Sequence, residues 1–207
     1  KFSETKLPII VSCGMSDMDE IKTTISEINN KKAYPLILMF TTSQYPVPDE
    51  DVNMLKLKTI RDEFRDIILG YSDHTQGSIA STLAITLGAK VFEKHFTIDK
   101  NLPGPDHWFS ALPDELKEWN KSIKRSWIML GNNEVKPTIN ELKNKKSFRR
   151  KLVALKNIEK GDKFSEDIVG MRRTKNESLF LDIEKVIGRL SSRRIDYGEI
   201  IDAGCIE

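Results

Sequence analysis

Three histidines are the only imidazoles among the 207 residues, and all of them, His74, His95 and His107, fall between positions 70 and 107. Two of them occupy equivalent places. The apolar run Ile67-Ile68-Leu69-Gly70-Tyr71 ends in Ser72-Asp73-His74-Thr75, and the run Ala89-Lys90-Val91-Phe92 ends in Glu93-Lys94-His95-Phe96. Neutral imidazole is a common ligand of divalent metals. Carboxylates beside such rings orient them, hold the ion's water or handle protons, and Asp73 and Glu93 stand where they can do so. The pattern therefore predicts a divalent-metal centre on His74 and His95, with Glu93 and Asp73 completing the catalytic set. A single histidine at a strand end is more often a hydrogen-bonded structural residue. Two on consecutive strand ends, each beside a carboxylate, shift that balance. Lys94 alternates away from the His95 face and is excluded from the set.

The elements that must position these residues can be read from the same stretch. Between the two apolar runs lies a small-residue apolar segment, Ser78 to Leu87, closed by Gly88 where a helix C-terminus wants a glycine. Strand, helix, strand in a parallel sheet puts both strand ends on one rim, where α/β proteins bind ligands. Upstream, Leu7 to Val11 reads as a strand. A helix capped by Ser16 follows, with Ile21, Ile25 and Ile28 as its buried stripe. Leu36 to Phe40 is the next strand, leading into the loop Thr41-Thr42-Ser43-Gln44-Tyr45-Pro46. A helix is expected from about Asp51 to Phe64, with Val52, Leu55, Ile60 and Phe64 facing inward. Downstream, a long loop from Asp99 to Ala111 precedes a helix that starts at Pro113 and ends at Gly131. Four βα units with strands ending in hydroxyls, acids or histidine suggest an α/β fold of the (β/α)8 TIM-barrel type, represented by half its strands. The missing half either lies outside this chain or is supplied by another copy. No GxGxxG follows the first strand, so a dinucleotide site has no support.

After Gly131 the texture changes. Residues 132–148 are polar and rich in lysine and asparagine, as in a linker, and 149–207 consist of short punctuated segments, as in a small β-rich domain. The basic residues Lys143, Lys145, Lys146, Arg149, Arg150 and Lys151 come without an aromatic stacking platform and read as a solvated face, not a nucleic-acid surface. Net charge is +2 and the two cysteines, Cys13 and Cys205, lack CxxC spacing. Together these predict no nucleic-acid partner, no membrane span and a reducing, cytoplasmic setting. The chain opens on Lys1 and runs almost at once into a strand, which suggests a portion of something longer.

Five motifs in one order, SCGM at 12–15, TTSQYPVPDEDVN at 41–53, GYSDHT at 70–75, EKHFTIDK at 93–100 and PGPDH at 103–107, resemble the sialic acid synthase (N-acetylneuraminate synthase) family. The tail KLVALKNIEKGDKFSEDIVGMRR resembles that family's C-terminal antifreeze-like (SAF, β-clip) domain. The resemblance implies that 1–131 is the C-terminal half of the barrel, 132–148 a linker and 149–207 the SAF domain. It further implies condensation of phosphoenolpyruvate with an N-acetylmannosamine-type sugar, giving a nonulosonic acid and phosphate. His74 and His95 become ligands of Mn2+ or Mg2+, with Glu93 beside metal and sugar. Ser43 and Tyr45 are expected to contact the sugar, and Ser12 and Ser72 the phosphoenolpyruvate. Arg172 is expected to reach the neighbouring subunit's site from the SAF domain of a homodimer. His107 reads either as a substrate-loop residue or as a surface histidine. Arg173-Thr174 stand where the family often has Pro-Gly, and Cys13 stands for a usual threonine.

Two other readings compete. One is a non-catalytic half-barrel that binds a sugar or a partner through the SAF domain; the other is a different metal-dependent aldolase. The isolated chain is expected to be catalytically weak, because the family's early glutamate and phosphate-binding lysines belong to strands it lacks. Open sheet edges are expected to drive self-association.

Overall fold

The computed structural model describes residues 2–5, 7–30, 35–174 and 181–207; Lys1 lies outside them. The β-branched run near the start forms β1 (Ile9–Ser12), and the later apolar runs form β2 (Leu36–Phe40), β3 (Ile68–Asp73) and β4 (Val91–Lys94). They make one parallel sheet in the order β1-β2-β3-β4. Such strands bury both faces and so read as continuous apolar runs. Leu38, Met39, Leu69 and Tyr71 are all buried. The register sets Ser72 opposite Glu93 and Asp73 opposite Lys94, so the C-terminal ends of β3 and β4 finish level.

Helices pack on this sheet. In α1 (Met18–Asn30) the buried stripe is Ile21 and Ile25. Its cap is Asp17, not Ser16: the Asp17 carboxylate accepts from the Asp19 and Glu20 amides, and Glu20 accepts from the Asp17 amide. A carboxylate with glutamate three residues on closes a capping box one step later than the serine would. The single helix expected over 51–64 is two, α2 (Asp49–Val52) and α3 (Leu55–Glu63). Asn53 separates them in the left-handed region with φ 45°, which asparagine tolerates, and donates to the Glu50 and Asp51 carbonyls. The break resets the helix phase, so Leu57 and Ile60 are buried whereas Leu55 points to solvent. The next helix, α4 (Ile79–Thr86), ends in a Schellman motif at Gly88, φ 105°. There the Ala89 amide donates to the Ala84 carbonyl and the Gly88 amide to that of Ile85. Finally, α5 (Pro113–Leu130) opens with proline in its first turn and Glu115 accepting from the Leu112 amide.

The chain divides into two units, Lys1–Asn132 and Asn133–Glu207. In the second, the stretch read as a linker carries α6 (Ile139–Phe148), whose first turn is closed by a Thr138–Glu141 capping box. After it β5 (Arg150–Ala154) pairs antiparallel with β6 (Val169–Arg173). Leu152, Ile158, Phe164, Val169, Val186, Ile195 and Ile201 fill this unit's own small core. Among the described residues no helix is long and apolar enough to cross a membrane.

Candidate active site

Side chains on a strand alternate between its faces, and three level rows follow at the ends of β3 and β4. Ser72 and Glu93 share the face turned away from α4, and the Ser72 hydroxyl donates to Glu93 Oε1 at 2.8 Å. One step on, Asp73 and Lys94 turn to the helix side. One step further, His74 and His95 return to the first face, with ring centroids 5.1 Å apart and planes at 74°.

His74 is the more rigidly held. Its Nδ1 lies 2.9 Å from the Thr42 carbonyl, which can only accept, so this nitrogen carries the proton; the Thr41 hydroxyl is 3.3 Å away. Nε2 then keeps its lone pair, 3.3 Å from the Ser72 hydroxyl. Fixing the tautomer through Nδ1 to a backbone carbonyl is the usual outer support of a metal-bound histidine. Burial pushes the His74 pKa below the ordinary imidazole value and His95 adds to that, while the Thr42 hydrogen bond, Asp73 and Glu93 oppose it. The ring is thus neutral, the form a metal needs.

The loop after β2 covers the pair. The Val47 amide donates to the His74 carbonyl at 3.0 Å, which straps the loop to the end of β3. Tyr45, followed by a cis bond to Pro46, lays its ring 4.3 Å from His74 and 5.4 Å from His95. Phe109, buried, closes the other side at 4.9 Å from His95 and 5.0 Å from Tyr45. His95 stays partly open, with Nδ1 3.8 Å from the Asp106 carboxylate, and the Ala111 amide holds its carbonyl at 2.9 Å. Sequence reasoning missed Thr42, Asp106 and Phe109. Asp106 lay within the PGPDH stretch, whereas a backbone carbonyl such as that of Thr42 has no signature in residue type.

The other expected residues are placed as follows. Asp73 does not join the imidazoles: it is buried on the opposite face, among Thr75, Ser81, Lys94 and Trp119. The same alternation that excluded Lys94 excludes Asp73, one residue before its histidine. Ser43 packs against Gly14 and borders a cleft of about 620 Å3 lined also by Cys13, Ser16, Thr41 and Lys56. Ser12 is exposed at the end of β1, two strands from His74, or about 10 Å across the sheet. His107 turns to Thr97, whose hydroxyl is 2.8 Å from its Nδ1. Arg172 is exposed on β6 of the second unit and donates to the Met171 carbonyl.

Among the described residues no group of three His, Cys, Asp or Glu side chains converges as a metal cage. Two imidazoles leaving most positions to water and substrate oxygens still fit a hard ion that takes few protein ligands.

Comparison with known proteins identifies the family and the fold. Residues 1–135 match the NeuB family. An N,N'-diacetyllegionaminic acid synthase of Legionella pneumophila is 38% identical over 197 residues, which is 93% of this chain and 55% of that protein. An uncharacterized protein of Methanocaldococcus jannaschii is 43% identical over 173 residues, 84% of this chain and 51% of that one. Among solved structures, an N-acetylneuraminic acid (sialic acid) synthetase from Leptospira borgpetersenii, in complex with citrate, aligns with a TM-score of 0.63 at 33% identity. That alignment covers 69% of this chain and 50% of the other. A spore coat polysaccharide biosynthesis protein from Bacillus subtilis aligns with a TM-score of 0.60 at 29% identity, covering 99% of this chain and 62% of that one. The chain therefore spans about half the length of the curated relatives it matches. Four parallel strands with their helices form an α/β half-barrel that matches solved synthase structures, and the chain belongs to the NeuB family.

Proposed function

We propose that this chain carries the metal-binding rim of a synthase that condenses phosphoenolpyruvate with an N-acetylmannosamine-type sugar. In that reaction C3 of phosphoenolpyruvate attacks the open-chain aldehyde, water adds at C2, and the C2–O bond breaks to release inorganic phosphate. The observation that carries the reading is the facing pair His74–His95, 5.1 Å apart, with His74 proton-fixed so that Nε2 stays open. These two side chains would hold Mn2+ or Mg2+, which when bound supplies Lewis-acid stabilisation of charge developing on the aldehyde oxygen. Glu93, tied to Ser72, is suited to orient bound water or move a proton at the sugar. Tyr45 and Phe109 shield one side of the pair from water, and Ser12, Ser43, Ser72 and His107 offer polar contacts to the substrates.

The second unit we read as an antifreeze-like domain of a homodimer, with Arg172 directed at the partner's sugar site. Two buried, unpaired thiols, Cys13 and Cys205, suit a reducing cytoplasm. The test is phosphate release by the intact gene product, given phosphoenolpyruvate, a panel of 2-acetamido sugars and Mn2+. The expected result is release that chelator abolishes and His95→Gln reduces strongly. Absence of phosphate release with every sugar would sink the reading.

A further inference from the structure

Directly behind the two histidines, on the helix side of the same strand ends, a charge pair is buried. Asp73 and Lys94 are register partners, with Oδ2 3.4 Å from Nζ and side chains 0% and 8% exposed. The carboxylate also accepts from the Thr75 amide at 2.9 Å, the Thr75 hydroxyl at 2.7 Å, the Ser81 hydroxyl at 2.5 Å and the Trp119 indole at 3.0 Å. Lys94 in turn donates to the Thr75 carbonyl at 2.8 Å. One carboxylate thereby gathers the end of β3, the turn after it, α4, α5 and the end of β4. An ion pair buried this deeply stabilises a fold little better than apolar residues of equal volume, so folding alone does not account for it.

Each member of the pair stands immediately before a histidine. Because consecutive strand residues point to opposite faces, pinning 73 and 94 on one side fixes how 74 and 95 project on the other. We propose that Asp73 and Lys94 are positioning residues that set the separation and mutual orientation of the His74 and His95 rings. This rests on the reading of those rings as a shared ion site. Metal-binding histidines lose affinity when the groups that orient them are removed, and here the orienting contact reaches them through the backbone.

Lys94 is the member to change. Without it Asp73 still has four donors, whereas removing Asp73 leaves a buried ammonium unpaired. The experiment follows histidine ring protons of the 207-residue chain by NMR, with a parallel Mn2+ titration. In wild type, cross-relaxation between the His74 and His95 rings is expected. Lys94→Met is expected to keep the amide fingerprint of the fold, lose that inter-ring signal and bind Mn2+ about tenfold or more weakly. Lys94→Arg, which restores the buried cation, is expected to recover both. Lys94→Gln, which keeps a donor for the Thr75 carbonyl, replaces the methionine variant should that one not fold. An unchanged inter-ring signal with unchanged Mn2+ affinity in a folded Lys94→Met overturns the proposal. If wild type takes up no Mn2+ yet shows the ring contact, and Lys94→Met abolishes it, the metal reading fails while the positioning stands. A wild type without the ring contact overturns the positioning as well.

Discussion

His95 meets His74 edge to face, with centroids 5.1 Å apart, because each ring is the second residue beyond a registered pair, Ser72 opposite Glu93, at the level ends of two parallel strands. No long-range coincidence is needed. Sheet register and the two-residue period of a strand bring the rings together, and the strap from Val47 to the His74 carbonyl keeps them there.

The neutral state of His74 makes stability depend on pH. Burial lowers its pKa from the ordinary value of 6.5, so below that value the unfolded chain binds a proton that the folded chain refuses. The contribution is intact above about pH 6.5 and is lost as pH falls toward the folded-state pKa. His74→Gln should show a smaller loss of stability between neutral pH and about pH 5 than wild type does, measured as the shift in urea midpoint. Equal acid sensitivity of the two proteins would contradict a buried neutral ring.

Close approach of β2 and β4 to β3 depends on Gly70. A Cβ there would lie 2.0 Å from the Met39 sulfur and 2.9 Å from the Val91 carbonyl oxygen, and the backbone atom cannot swing aside. Gly70→Ala is expected to cost about 1–3 kcal/mol in denaturant unfolding. A neutral or stabilised variant would mean the strands sit further apart than described.

The helix break at Asn53 makes opposite demands on two leucines. Leu57 is fully buried and Leu55 is 72% exposed. Leu57→Ala should cost about 2–5 kcal/mol and Leu55→Ala no more than about 0.5 kcal/mol. Similar losses at both positions would favour one unbroken helix.

Much of this was legible in the sequence. Apolar runs located the four strands, and Gly88 and Pro113 marked helix ends because each supplies a backbone property that few other residues have. The paired histidines followed from their matching positions at the ends of two such runs. Asp73 was expected among the imidazoles from its nearness in sequence to His74, but the alternation that turns Lys94 away turns Asp73 to the helix side as well. The break at Asn53 was missed because a polar residue in a helical pattern looks like a solvent-facing position until its backbone conformation is known. Thr42 acts through a carbonyl, which every residue has, and Phe109 arrives from a long loop without periodicity, so neither left a readable trace.

The central claim is that His74 and His95 can share one divalent ion, and Mn2+ titration of the purified chain at neutral pH, followed by electron paramagnetic resonance, tests it most directly. The account predicts saturable uptake at a single site in wild type, lost in both His74→Gln and His95→Gln while His107→Gln binds as wild type does. Uptake that survives both substitutions, or no uptake by the wild-type chain, would contradict it.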